Sequence, residues 1–239
     1  MTMFPDAVPA PDLLHAQACL IDALSMSLQM RDAYTRHHCD RVGLFAQRLA
    51  AHCDLDDQAC AQVGLAARFH DIGKIGIPDD VLLAPRRHTD EERAIMREHP
   101  VRGEHIFLAT GRSDAAPVAR LIRAHHEAFD GSGYPDGLRG ESIPLGARIV
   151  TIADAYDAMT SVRPYRDAME HETALRIIDS QSGGWWIPTC CSASIACWRG
   201  SRSWPEIFRK VKRPVGRVDC QSTALRPDRE NPALRAIVD

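Results

Sequence analysis

The sequence predicts an all-α protein. Three observations lead there: apolar residues recur at helical spacing from Leu13 to Met159, strand-like alternation is scarce, and the interruptions fall at glycines and prolines. Residues 1–12 carry three prolines and little periodicity, and are expected to form a loose leader. Leu20, Leu24 and Leu28, then Val42, Phe45 and Leu49, mark amphipathic helix between Leu13 and His52, with a break near Tyr34. Gln58–His70 reads as a second helix, stopped by the two glycines and the proline of Gly73 to Pro78, which puts His70-Asp71 at its C-terminus. Thr89 with Glu92 is a capping box, opening a helix in which Ile95, Met96 and His99 share a face and which Pro100 bends or divides. Pro117 opens the next, where Val118, Leu121, Ile122 and His125 form one stripe and His126 follows at the end. Phe129–Gly140, dense in glycine, has to be loop. Leu145–Met159 is apolar almost all round and so a buried helix, although it contains Asp154 and Asp157.

At 239 residues and 26.5 kDa the chain can bury one good core, expected over residues 13–183. Positions 181–239 hold ten Lys/Arg and five Asp/Glu, so this tail carries +5 and the body −8, which sum to the net −3. The acidic body argues against a nucleic-acid surface, and the basic tail residues, separated by prolines, fall on no clear helix face. No apolar run could span a bilayer and the N-terminus lacks a basic start before an apolar stretch, so a cytoplasmic protein with no membrane partner is expected. The cysteines show no CxxC spacing and read as free thiols in a reducing compartment.

Histidine carries the functional signal. His38, His70-Asp71, His99, His125-His126 and Asp154 together have the chemistry to hold two divalent metal ions. Asp154, set among Ile149, Val150, Ile152, Ala153 and Ala155, is a carboxylate in an apolar helix, and such a group needs a cation, a hydrogen-bond network or a metal. Imidazole and carboxylate donors without thiolate suit iron or manganese better than structural zinc. Two ions about 3.5–4 Å apart, sharing Asp71, would polarise a bridging water into hydroxide, the nucleophile for in-line attack on phosphorus. Each pair alone has a plainer explanation, since Asp71 could pair with Lys74 at a helix end and His125-His126 could sit favourably at another. Only the combination is specific.

Three stretches carry a family likeness: FHDIGKIGIPDDVL at 69–82, REHPVRGEHI at 97–106, and HHEAFDGSGYPDGLRGESIPLGARIVTIADAYDAMTSVRPYR at 125–166. From about Arg31 to Gly183 the chain resembles the HD-GYP family of cyclic di-GMP phosphodiesterases, within the HD metal-dependent phosphohydrolases. The resemblance implies an HD-domain helical bundle with a glycine-rich GYP loop, and hydrolysis of cyclic di-GMP to pGpG or GMP. It implies that His38, His70, Asp71 and Asp154 hold one metal, and that Asp71, His99, His125 and His126 hold the other. Members with a third metal carry a glutamate where this chain has Tyr34, so two ions are expected. Lys74 matches the lysine that contacts the scissile phosphate, and Arg163 and Arg166 match residues that reach phosphates and guanines. Gly133-Tyr134-Pro135 matches the loop credited with substrate contact at Tyr134 and with docking partners, notably diguanylate cyclase (GGDEF) domains. Ala128 stands where the family commonly has a long basic residue, which weakens partner contacts that need that charge. The alternatives are a catalytically silent signalling module that docks partners through the GYP loop, and an enzyme acting on another cyclic dinucleotide.

The tail departs from this pattern. All four tryptophans and Cys190, Cys191, Cys197 and Cys220 fall in residues 184–239. Trp185–Ser194, back-translated with GC-rich codons and read in another frame, gives Val-Asp-Pro-Asp-Leu-Leu-Gln-Arg-Phe, which resembles the continuation the family would have. A frameshift near residue 184 is the expectation, and re-reading the encoding DNA tests it.

Overall fold

A computed structural model describes residues 20, 23, 24, 26–28, 30, 35–162 and 167–181. The expected leader, the atypical tail, Arg163 and Arg166 lie outside the described residues. Among these residues the chain is helical with no strand: α1 (Thr35–His52), α2 (Asp57–Phe69), α3 (Asp79–Leu82), α4 (Asp90–Met96), α5 (His99–Leu108), α6 (Ala115–Arg123), α7 (Leu145–Thr160) and α8 (His171–Ser180). A tight 3-10 turn over Ile72–Gly76 follows α2. No helix among the described residues is long and apolar enough to cross a membrane.

The core forms where the apolar stripes meet. α1 packs on α2 and α7, α2 also on α6, and α5 on α6 and the 3-10 turn. Val42, Phe45 and Leu49 of α1 share one cluster with Val63 and Ala66 of α2, Ile122 of α6 and Ile149, Ile152 and Tyr156 of α7. α7 is the central strut, buried from Gly146 to Thr160 except at Arg148 and Asp154. α8 was not anticipated from the sequence; Ala174, Leu175 and Ile178 bury its inner face, and the Tyr156 hydroxyl bonds His171 Nδ1 at 2.7 Å.

Local chemistry sets the helix ends. Asp56 caps α2 by accepting from the Ala59 amide at 2.8 Å, and Thr89 and Glu92 close the expected capping box on α4. Two boundaries differ from the sequence reading. α4 ends at Met96, and His99 is instead the first residue of α5, with Pro100 in its first turn. Proline has no N–H to donate, and a first turn is the one helical place that does not need it. Likewise α6 stops at Arg123, so His125 lies beyond the helix rather than on its stripe, yet it is buried.

Gly73 is required by close approach. A Cβ there would stand 1.9 Å from the His99 carbonyl oxygen and 2.5 Å from the Gly103 amide nitrogen, both main-chain atoms that cannot swing away. This contact brings the Asp71 turn against the start of α5. Gly73→Ala should therefore destabilise the fold by about 3 kcal/mol, the upper range of overpacking costs, read as a lowered denaturation midpoint.

Candidate metal centre

Five chain segments converge on one buried pocket of imidazoles. His38 comes from the first turn of α1, His70 caps α2, Asp71 follows it, His99 opens α5, His125 and His126 follow α6, and Asp154 comes from α7. Three of these rings are aimed in the same way. Nδ1–H of His70 donates to the Ala67 carbonyl at 2.7 Å, that of His99 to Met96 at 2.8 Å, and that of His125 to Ile122 at 2.6 Å. These carbonyls belong to final helical turns, where no helical amide claims them. A carbonyl can only accept, so each Nδ1 carries the proton and each Nε2 lone pair points into the pocket.

The donor atoms fall into two groups. Donor atoms of His38, His70 and Asp71 lie within 4.8 Å of one another, as do those of His99, His125 and His126. Asp154 Oδ1 is 3.1 Å from His38 Nε2 and 3.9 Å from His70 Nε2, which adds it to the first group. Asp71 faces both: its Oδ2 is 3.4 Å from His70 Nε2 and its Oδ1 is 3.5 Å from His99 Nε2. The structure thus brings together all seven residues that the sequence nominated as metal ligands.

These residues fit a cation. His99 Nε2 and His125 Nε2 are 3.3 Å apart, and with both Nδ1 protons engaged elsewhere two lone pairs confront each other there. A proton is a poor bridge, because burial holds the His99 pKa down at about 4 and, with the neighbouring imidazoles, holds His125 and His126 well below the ordinary histidine value. Neutral imidazoles at ligand-to-ligand spacing beside a carboxylate are a divalent-metal donor set.

The first group is electrostatically different. Burial works against a charge on His38, but Asp154 and Asp157 outweigh it and lift its pKa to about 9. Burial opposes charge on Asp71 too, yet the Lys74 ammonium and the surrounding imidazoles hold it well below the usual carboxylate range. These shifts give the metal-free protein a pH optimum. His38, raised when folded, contributes stability that is complete below the unfolded value of about 6.5 and is lost as pH rises toward about 9. His99, His125 and His126, lowered when folded, cost stability as pH falls below about 6.5, where the unfolded chain takes up protons first. Thermal melts of chelated protein should therefore peak near pH 6.5 and decline on both sides.

Lys74 Nζ donates to Asp71 Oδ2 at 2.8 Å from a partly exposed position at the pocket edge. The GYP loop closes another side. Tyr134 stacks on the His126 ring with centroids 4.8 Å apart, and the Arg97 guanidinium stands 5.0 Å from the Tyr134 centroid. Gly133 is glycine because a Cβ would sit 2.2 Å from the Ala128 amide nitrogen and 2.5 Å from the His126 carbonyl oxygen. Buried Glu127 accepts from the amides of Asp136 at 2.7 Å and Leu138 at 2.9 Å, pinning the loop to the residue beside His126. Ala128 is fully buried beneath it.

Sequence reasoning missed four residues at this site: Glu127, Arg97, Arg41 and Asp157. Asp157 had a signal, a second carboxylate three residues after Asp154 in an apolar helix. Arg41 had one too, lying three residues after His38.

A family model described as HD domain matches residues 18–188. The chain is 38% identical over 173 residues to the cyclic di-GMP phosphodiesterase response regulator RpfG of Xanthomonas campestris pv. campestris, covering 72% of this chain and 46% of that protein. It is 39% identical over 193 residues to a cyclic di-GMP phosphodiesterase of Thermotoga maritima, covering 81% and 52%. The chain spans about half the length of these relatives. In fold it is similar to the cyclic GMP-AMP specific phosphodiesterase V-cGAP3 of V. cholerae, with a TM-score of 0.60 at 20% identity over 80% of this chain and 52% of that one. With that model matching most of the sequence, and with the HDIGK and GYP motifs meeting at one pocket, the chain belongs to the HD-domain family, in its HD-GYP branch.

Proposed function

We propose that this chain is a metal-dependent phosphodiesterase that hydrolyses cyclic di-GMP to pGpG or GMP, in a cytoplasmic setting. The observation that carries the reading is the pair of buried histidine groups facing each other across the two oxygens of Asp71. Two divalent ions, iron or manganese, held by His38, His70, Asp71 and Asp154 and by Asp71, His99, His125 and His126, would supply the polarised water and phosphate that in-line hydrolysis needs.

The chain's own groups do the rest. Lys74 places a positive charge at the pocket edge, where it can offset charge developing on phosphoryl oxygens. Tyr134 holds the His126 ring from outside and offers a partly exposed edge to a base. Arg163 and Arg166 carry the phosphate and guanine contacts that the motif implies. The exposed rim of the loop, Ser132, Asp136 and Arg139, is the surface available to a diguanylate cyclase domain. The similarity to two cyclic di-GMP phosphodiesterases supports the choice of substrate.

The test is direct. Protein purified without oxygen and loaded with Fe(II) or Mn(II) should linearise cyclic di-GMP in preference to other cyclic dinucleotides. Binding of cyclic di-GMP without turnover, under either metal, would overturn this reading in favour of the silent docking module, and turnover of another cyclic dinucleotide instead would change the substrate.

A further inference from the structure

His70, His99 and His125 are aimed by main-chain carbonyls at helix ends. His38 has no such option, because it lies in the first turn of α1, where the carbonyls enter the helical ladder. Its Nδ1 is instead held by the Asp157 carboxylate at 2.8 Å. Asp157 is completely buried and fully engaged: Arg41 donates to it through Nε and, at 2.8 Å, through Nη2, while Ser161 Oγ lies 3.3 Å from Oδ2. Arg41 Nη2 also donates to Ser161 Oγ at 3.0 Å. Two residues of α1, His38 and Arg41, thus clasp two residues of α7, Asp154 and Asp157, each pair one helical turn apart.

We propose that Asp157, braced by Arg41 and Ser161, is the positioning residue of the His38, His70, Asp71 and Asp154 group alone. It turns the His38 ring so that Nε2 faces Asp154, and one of the two cation sites depends on it while the other does not. The inference rests on the two-ion reading above. A carboxylate on the outer nitrogen of a ligating imidazole both orients the ring and strengthens it as a donor, and losing such a partner costs about 10- to 100-fold in metal affinity. In the other group His99 and His125 are held by main-chain carbonyls and His126 by the Tyr134 ring, while Asp157 bonds His38, Arg41 and Ser161, so that group should not respond when Asp157 changes.

Equilibrium dialysis of the full chain against buffered Mn(II), followed by elemental analysis, reads this out without any activity assay. The wild type should take up two ions. Asp157→Asn, which keeps the shape and one acceptor oxygen, should bind one ion with unchanged affinity and the other about 10- to 100-fold more weakly. His38→Ala should lose the same ion, and the double variant should lose no more than His38→Ala alone, since both act on one site. His126→Ala should remove the opposite ion. If Asp157→Asn does not fold, Arg41→Lys, which keeps the charge and loses the fork, should show the same one-sided weakening. Folded variants that bind both ions at wild-type affinity, or that weaken both equally, overturn the proposal. A wild type that takes up fewer than two ions overturns the proposed function instead.

Discussion

Replacing Asp71 with alanine should cut turnover of cyclic di-GMP by about 10³-fold or more, since losing one well-placed electrostatic group in a preorganised site costs about 10²- to 10³-fold and this residue serves both metal groups. The reason is geometric. Among the described residues, Asp71 is the one whose two oxygens face both histidine groups, Oδ2 toward His70 and Oδ1 toward His99. Its loss removes a negative donor from each group at once, so metal content should fall for both ions rather than one. That separates it from His38→Ala or His126→Ala, each of which should spare an ion. Lys74, which donates to Asp71 and is 23% exposed, can turn to water when its partner goes, so the variant should still fold. Elemental analysis beside an assay for pGpG and GMP checks both halves, and an Asp71→Ala protein that still cleaves would defeat the proposed chemistry.

Stripping the metals should lower the melting temperature by about 8–16 °C for each ion lost. An ion present at about 1,000 times its dissociation constant stabilises the folded state by about 4.1 kcal/mol, and in a domain of this size each kcal/mol moves the midpoint by about 2–4 °C. The effect is large here because the ligands come from three helices and the ends of two others, none contributing a complete site. Calorimetry with and without chelator, repeated after adding Mn(II) back, measures it. A shift below about 2 °C would mean that the pocket holds no resident cation.

The sequence revealed most of this site because its motifs are local. HDIGK, the paired histidines and GYP each stand within a few residues, and Asp154 announces itself as a charge in an apolar helix. What it hid depends on spatial partners. Asp157 looked like a second misplaced carboxylate until α1 brought His38 and Arg41 against it. Glu127 was not singled out, because only the returning loop buries it and supplies two amides. Helical periodicity put His99 on a face of the helix before it, and although Pro100 signalled a division, spacing did not show that the new helix starts at His99 itself. α8 escaped notice because its short apolar face is defined by what α7 offers it.

The aiming of His70, His99 and His125 by the carbonyl three residues back makes the centre sensitive to insertions rather than to replacements. Side chains at Ala67, Met96 and Ile122 take no part in that bond, although each is packed in the core. One extra residue between helix end and histidine would swing the imidazole by about 100° around the helix axis and detach it from its acceptor. Frame-preserving indels at these three junctions should therefore strip metal binding, whereas conservative apolar replacements of the carbonyl-bearing residues should leave the rings aimed.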